Sequence, residues 1–219
     1  MNNIRVTAYQ WVPPVAQGLV RDLRVRWALE EAGLPYEENL LEFGQQNTPE
    51  HRAVQPFGQV PVYEEDGLKL FESGAIVMHI GEKSPVILPV DPAARARVRT
   101  WMFAALNSVE PHVQHLVSID LSFAKEEWAS LRRPSALATV QSRLDAVVTA
   151  LADRDYLETQ FSGADVLMAT VLRFLRHTSI VSGIPVLAAY LARCEARPAF
   201  KRALASQVAP FERRAAVAA

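Results

Sequence analysis

Gly58-Gln59-Val60-Pro61-Val62-Tyr63-Glu64-Glu65-Asp66-Gly67-Leu68-Lys69-Leu70-Phe71-Glu72-Ser73-Gly74-Ala75-Ile76 is the stretch that decides the fold. Val60 to Tyr63 and Leu68 to Phe71 are short apolar-rich runs on either side of Glu64-Glu65-Asp66-Gly67, which predicts an antiparallel hairpin with an acidic turn. Ser73 then supplies the side-chain oxygen of an N-cap, and Ile76, Val77 and Ile80 follow at helical spacing. Upstream, Ile4, Val6 and Ala8 alternate with Arg5, Thr7 and Tyr9, the pattern of a half-buried strand. A Pro13-Pro14 loop leads to a helix with Leu19, Leu23 and Trp27 on one face, stopped by Gly33 and Pro35. Tyr36 to Leu41 reads as a second strand, which one intervening helix should place parallel to the first through a right-handed crossover. Thr48-Pro49-Glu50 opens a short helix that ends near Pro56. The expected order is β-α-β-α-β-β-α.

Composition divides the chain. Seven of the nine glycines precede residue 82, and alanine-rich helical patterns take over beyond it. Between the two parts, Pro85, Pro89 and Pro92 mark a stiff linker. The expected domains are therefore residues 1–83, α/β with the thioredoxin-like element order, a linker 84–91, and an all-α helical bundle over 92–219. In the second part Val98, Trp101, Met102, Ala105, Leu106 and Val109 give a long helical stretch from Ala93 to Ser118, bent at Pro111. Ser118 to Arg133 reads as a loop or helix end carrying Phe123 and Trp128. Arg132-Arg133-Pro134 reads as a turn before an amphipathic helix over Ala136 to Leu151. Ser162 and Asp165 have the spacing of a capping box, with Phe161 and Val166 as its hydrophobic staple. Helices over Pro185 to Glu195 and Pro198 to Val208 each begin with proline.

The chain has 219 residues, 50% hydrophobic and 21% charged, enough to bury a core and too apolar for a disordered protein. Its 23 Lys and Arg nearly balance 24 Asp and Glu, which argues against nucleic acid or an anionic membrane as partner. The single cysteine, Cys194, can form no intrachain disulfide and suits a reducing cytoplasm. Met1-Asn2-Asn3-Ile4-Arg5 lacks the apolar core of a signal peptide, and no run approaches 18 apolar residues. A cytoplasmic protein with a small-molecule or protein partner is expected. The five histidines show no metal-binding spacing, and no glycine-rich nucleotide motif occurs, so neither a metal nor a nucleotide cofactor is expected.

The segments Gly58 to Val62 and Phe71 to Ile76, separated by the eight residues 63–70, resemble the glutathione-binding core of the cytosolic glutathione S-transferases of bacterial type. Arg24-Val25-Arg26-Trp27-Ala28-Leu29-Glu30-Glu31-Ala32-Gly33 is similar to that family's first helix. Phe161 to Val166 is similar to the capping box of its C-terminal domain. The resemblance spans both expected domains. It implies a transferase that binds glutathione as co-substrate, stabilises its thiolate and conjugates it to a small apolar electrophile. It also implies a role in detoxification, a homodimer, and a cis Val60-Pro61 bond.

Glutathione is an extended peptide with two carboxylates, an ammonium group and a thiol of ordinary pKa about 8.5. Val60, preceding Pro61, can offer its N–H and C=O in the manner of strand addition, or else Pro61 is simply an ordinary strand-start proline. Ser73 at a helix start can hold a carboxylate, where the helix dipole also favours an anion. Glu72 can accept from the ligand ammonium. Gln59, and in the preceding loop Gln45, Gln46 and Asn47, can reach the glycine end. The family's thiol activator is a Tyr at the end of the first strand, or a Ser or Cys at the first helix start. Here Gly18-Leu19-Val20-Arg21-Asp22 holds neither Ser nor Cys, which argues against a mixed-disulfide mechanism. Tyr9 is then the catalytic candidate, or else simply a residue on one face of the first strand. Trp11 offers an indole N–H, and Arg21 a positive charge. The resemblance also nominates Phe103, Asn107, Pro111 and His112 as one wall of the electrophile pocket. Two other uses of the fold stay open: a glutathione-dependent isomerase or dehalogenase, and a non-catalytic binding or stress-response protein.

Overall fold

In the computed structural model, strand β1 (Ile4–Tyr9) is the centre of the sheet. It pairs in parallel with β2 (Glu37–Leu41) and antiparallel with β3 (Val62–Glu65), and β3 pairs antiparallel with β4 (Leu68–Leu70), so the order is β2-β1-β3-β4. The structure describes residues 3–218, without the side chains of 214–218; Met1, Asn2 and Ala219, at the outer limits of the expected domains, lie outside the described residues. Helices α1 (Asp22–Ala32), α2 (Pro49–Arg52) and α3 (Ser73–Gly81) complete the expected thioredoxin-like βαβαββα arrangement. Ile4, Val6 and Ala8 of β1 are buried, as are Leu23, Trp27 and Ala28 of α1 and Ile76, Val77 and Ile80 of α3, so apolar stripes of both periodicities meet in one core. Gly33 ends α1 at φ 66°, and the N–H of Leu34 reaches back to the Leu29 carbonyl (3.0 Å).

Two differences from expectation lie beside Pro61 and Ser73, and a third is the final helix (Pro198–Ala218), which runs on beyond the expected Val208. The third strand begins at Val62, not Val60, because Pro61 has no N–H to give the ladder. Pairing then continues through Glu64 and Glu65, leaving Asp66-Gly67 as a two-residue turn with φ of 47° and 88°, the positive pair that a tight hairpin requires. The cap of α3 is also displaced. Glu72 occupies the N-cap position at φ 69° and makes no side-chain cap bond, and Ser73 is the first helical residue.

The remaining helices are α4 (Pro92–Phe103), α5 (Glu110–Val117), α6 (Glu127–Leu151), α7 (Gly163–Arg173), α8 (Pro185–Ala196) and α9 (Pro198–Ala218). The chain forms two compact units, residues 1–88 with 196–219, and residues 89–195. The division at residue 88 falls inside the expected linker, but α9 joins the α/β unit, unlike the expected all-helical domain over 92–219. It packs on α1 through Phe200, edge-on to Trp27 at 4.8 Å, and through Arg197 to Glu31 and Arg202 to Glu30, each at 2.6 Å. Helical periodicity marks the buried face of α9 but does not name the helix it meets.

Within the helical unit, π-helical turns at Ala104–Val109 and Ser118–Ser122 keep the long stretch after α4 continuous. The first lies just before Pro111, whose ring would clash with the preceding turn of an ideal helix. The reading of Arg132-Arg133-Pro134 as a turn is corrected: α6 runs through Pro134 unbroken. Ala129, Ala136, Val140, Leu144, Val147 and Leu151 form a buried stripe on both sides of it, and Pro134 sits on the exposed face. Burial along the stripe outweighs the local cost of proline.

Candidate functional site

The cis bond between Val60 and Pro61 is present. Val60 is buried yet outside the sheet ladder, and among the described residues its backbone N–H and C=O make no hydrogen bond. Buried backbone groups are almost always paired, and here both groups stay open to a partner from outside the chain. The loop leading to it is held from beneath. The ring Nε2 of buried His51, on α2, lies 2.7 Å from the Gln59 carbonyl, and since a carbonyl only accepts, Nε2 carries the proton. Gly58 has φ 65°, and a Cβ there would meet the Arg52 guanidinium and the Gln46 carbonyl at 3.0 Å, so the loop closes only around glycine. Arg52 bridges Pro56 O (3.0 Å) and Asn47 Oδ1 (2.9 Å). Phe57 and Phe71 meet edge-on at 6.2 Å, which brings the loop before Pro61 beside the segment that carries Glu72 and Ser73.

At the mouth of α3, Ser73 is buried and Glu72 exposed. Glu72 holds a left-handed backbone uncommon for a residue with a side chain, a conformation that recurs at binding sites. The first-turn N–H groups of α3 receive no side-chain cap, which leaves the positive end of the helix dipole open to an anion. Arg24 of α1, also fully buried, donates from its guanidinium to Ser73 Oγ (3.2 Å).

Gln59 has an exposed side chain. The other loop amides are used locally. Gln45 Oε1 accepts from the Glu42 N–H, buried Gln46 Oε1 from the Gly44 N–H, and Asn47 Oδ1 from Arg52. Tyr9 pairs in register with Leu41 and, by strand alternation, shares a face with Arg5 and Thr7, opposite Ile4, Val6 and Ala8. It is half-buried, and burial pushes its phenol pKa up, so it is a neutral donor. Trp11 is half-buried in the loop that follows, and Arg21 is exposed at the N-cap of α1.

In the helical unit, Phe103 ends α4, Asn107 lies in the π-helical turn, and Pro111 and His112 open α5. Phe103, Asn107 and Pro111 are exposed and His112 half-buried, whereas Met102, Ala105, Val109 and Val113 turn into that unit's core. The capping box is formed: Ser162 Oγ accepts from the Ala164 N–H, and Asp165 accepts from the Ser162 N–H (2.9 Å). Asp165 also accepts from the Leu157 N–H (3.0 Å) and from Tyr190 OH (2.9 Å), links the capping motif alone does not reveal. Among the described residues no group of His, Cys, Asp and Glu is arranged to hold a metal ion, and no helix is long and apolar enough to cross a membrane.

The profile described as "Glutathione S-transferase, N-terminal domain" matches residues 7–82. Glutathione S-transferase 4 of Zea mays is 31% identical over 218 residues, covering 94% of this chain and 92% of that protein. The chain belongs to the glutathione S-transferase family. A glutathione S-transferase of Hyoscyamus muticus is 29% identical over 197 residues, covering 83% of this chain and 92% of its own length. A glutathione transferase of Burkholderia graminis, solved with two glutathione molecules bound per subunit, superimposes with a TM-score of 0.81 at 27% identity, covering 93% of this chain and 88% of its own. The sequence assigns no role to His51 or to Arg24 individually and does not foretell the α1–α9 contacts. Gly58 and the buried Arg24 were their only signals: a glycine where the backbone is crowded, and a charge within an apolar helical stripe.

Proposed function

We propose that this glutathione S-transferase family member binds glutathione, holds it as a thiolate and transfers it to a small apolar electrophile. The observation that carries the reading is buried Val60, whose backbone N–H and C=O make no hydrogen bond among the described residues, beside a cis proline. An extended peptide laid along Val60 satisfies both groups at once. The γ-glutamyl carboxylate then meets Ser73 and the open N-terminus of α3, the ammonium group meets Glu72, and the glycine end lies toward Gln59. The glutathione bound by the Burkholderia graminis relative supports this choice of ligand.

Tyr9 donates its phenolic O–H to the sulfur in this account, with Trp11 as a second donor from the adjoining loop. Lowering the thiol pKa raises the thiolate fraction at neutral pH, and the sulfur lone pair then forms the new bond to the electrophile as its leaving group departs. Phe103, Asn107, Pro111 and His112 are the proposed wall for the apolar substrate, and the active form is a cytoplasmic homodimer serving detoxification. Titration calorimetry with glutathione, followed by turnover of a chromogenic aryl halide, tests the reading. Binding with turnover is expected; no binding at millimolar glutathione contradicts it. A second reading, a non-catalytic glutathione-binding protein, is favoured by the absence of Ser and Cys from Gly18 to Asp22. Binding without turnover of aryl halides, isomerisable diketones or alkyl halides selects it, and turnover of either of the last two selects an isomerase or dehalogenase.

A further inference from the structure

Arg24 does more than fill space beneath the site. A guanidinium has only donors and keeps its charge in a protein. Ser73 Oγ, 3.2 Å from it, is therefore an acceptor in that bond, and the hydroxyl proton must turn elsewhere. The first-turn N–H groups of α3 are donors as well and cannot receive it. Among the described residues the Ser73 hydroxyl donates no hydrogen bond. Arg24, a donor only, thus occupies the oxygen as acceptor and leaves its proton for an outside acceptor. Serine alone has no such preference, since a free hydroxyl can donate or accept equally well.

We propose that Arg24 is a positioning residue that makes Ser73 a dedicated hydrogen-bond donor and so fits this end of the site to a carboxylate. The inference rests on the glutathione reading of the site. Its consequence is a specificity: the benefit of Arg24 is confined to ligands that carry the γ-glutamyl carboxylate. Lysine is also donor-only, so Arg24→Lys keeps the device. Glutamine offers a carbonyl that can capture the Ser73 proton, so Arg24→Gln abolishes it.

The test is titration calorimetry of wild-type protein, Arg24→Lys, Arg24→Gln, Ser73→Ala and the Arg24→Gln/Ser73→Ala pair. The ligands are glutathione and its analogue with the γ-glutamyl carboxylate converted to a carboxamide. Expected are a loss of about tenfold or more in glutathione affinity for Arg24→Gln, the scale of one charge-assisted hydrogen bond, and a near-constant affinity for the carboxamide. The double variant should bind glutathione no more weakly than Ser73→Ala, because the two residues act as one unit. Equal losses for both ligands, additive losses, or an unchanged Arg24→Gln overturn the proposal. Should Arg24→Gln not fold, Arg24→Lys decides: a retained preference for glutathione over the carboxamide supports the donor-only role, and a lost preference overturns it. Wild-type protein that binds neither ligand overturns the reading of the site itself, a separate outcome.

Discussion

Val60 and Tyr9 stand at opposite ends of what a single residue can reveal. Val60 carries its meaning in the backbone: an N–H and C=O that, among the described residues, have no partner can be satisfied by a ligand laid along them. Tyr9 carries its meaning in a side chain whose phenol burial keeps protonated. If Tyr9 donates to the sulfur, Tyr9→Phe should lower kcat by about tenfold or more and raise the apparent pKa of bound glutathione thiol, as removal of one proton-positioning group does. Stopped-flow thiolate absorbance against pH reads both, and an unchanged profile removes Tyr9 from the mechanism. The resemblance to a family named Val60, Glu72 and Ser73 from sequence. Arg24 escaped notice because its bond to Ser73 spans 49 residues, and nothing in helix periodicity predicts a buried charge's partner.

At the scale of elements, the start of α7 is held by several buried hydrogen bonds. Asp165 is fully buried and accepts from Ser162, Leu157 and Tyr190, although burial still pushes its carboxyl pKa up. Asp165→Ala strands several buried donors, so the expected loss is about 3 kcal/mol or more, well above an ordinary cap. Thermal unfolding measures it, and a melting temperature within a degree of wild type contradicts the account. A different element contact is pH-dependent. Burial acts to raise the Asp120 carboxyl, but hydrogen bonds from Arg133 on α6 (2.7 Å) and from His177 (3.2 Å) together hold it below its ordinary 3.8. A depressed folded pKa contributes stability that is present above 3.8 and is lost as pH falls through the folded value. The melting-temperature gap between wild type and Asp120→Asn should therefore be open at neutral pH and close in acid; a gap constant with pH would sink this reading. The capping box was legible because its two residues are three apart in sequence. Helix α6 was misread at Pro134 because local proline chemistry was weighed before the longer stripe from Ala129 to Leu151.

At the scale of the whole molecule, the chain's second half returns to complete the first. Arg26, buried on α1, binds Asp22 (2.7 Å), Ser206 (2.7 Å) and Glu38, while Gln207 donates to Asp22 (2.6 Å) and Val20 O (3.0 Å). Burial pushes the Asp22 carboxyl pKa up, and the charge of Arg26 and the hydrogen bonds from Arg26 and Gln207 oppose that shift. Phe200→Ala, which removes the ring packed on Trp27, should cost about 3 to 5 kcal/mol and shift tryptophan emission to the red; unchanged emission and stability would show that α9 is dispensable. Composition pointed to a linker over 84–91, whereas the allegiance of α9 depends on contacts more than 160 residues apart, beyond the reach of any local pattern. The α/β unit, closed by α9, thereby holds α1 and, through Arg24, the mouth of α3. The claim on which everything else rests is that glutathione occupies that mouth, and a crystal structure of the protein with glutathione tests it most directly. The account predicts the cysteinyl backbone paired with Val60 and the γ-glutamyl carboxylate on Ser73 at the start of α3; glutathione bound elsewhere, or absent at saturating concentration, would contradict it.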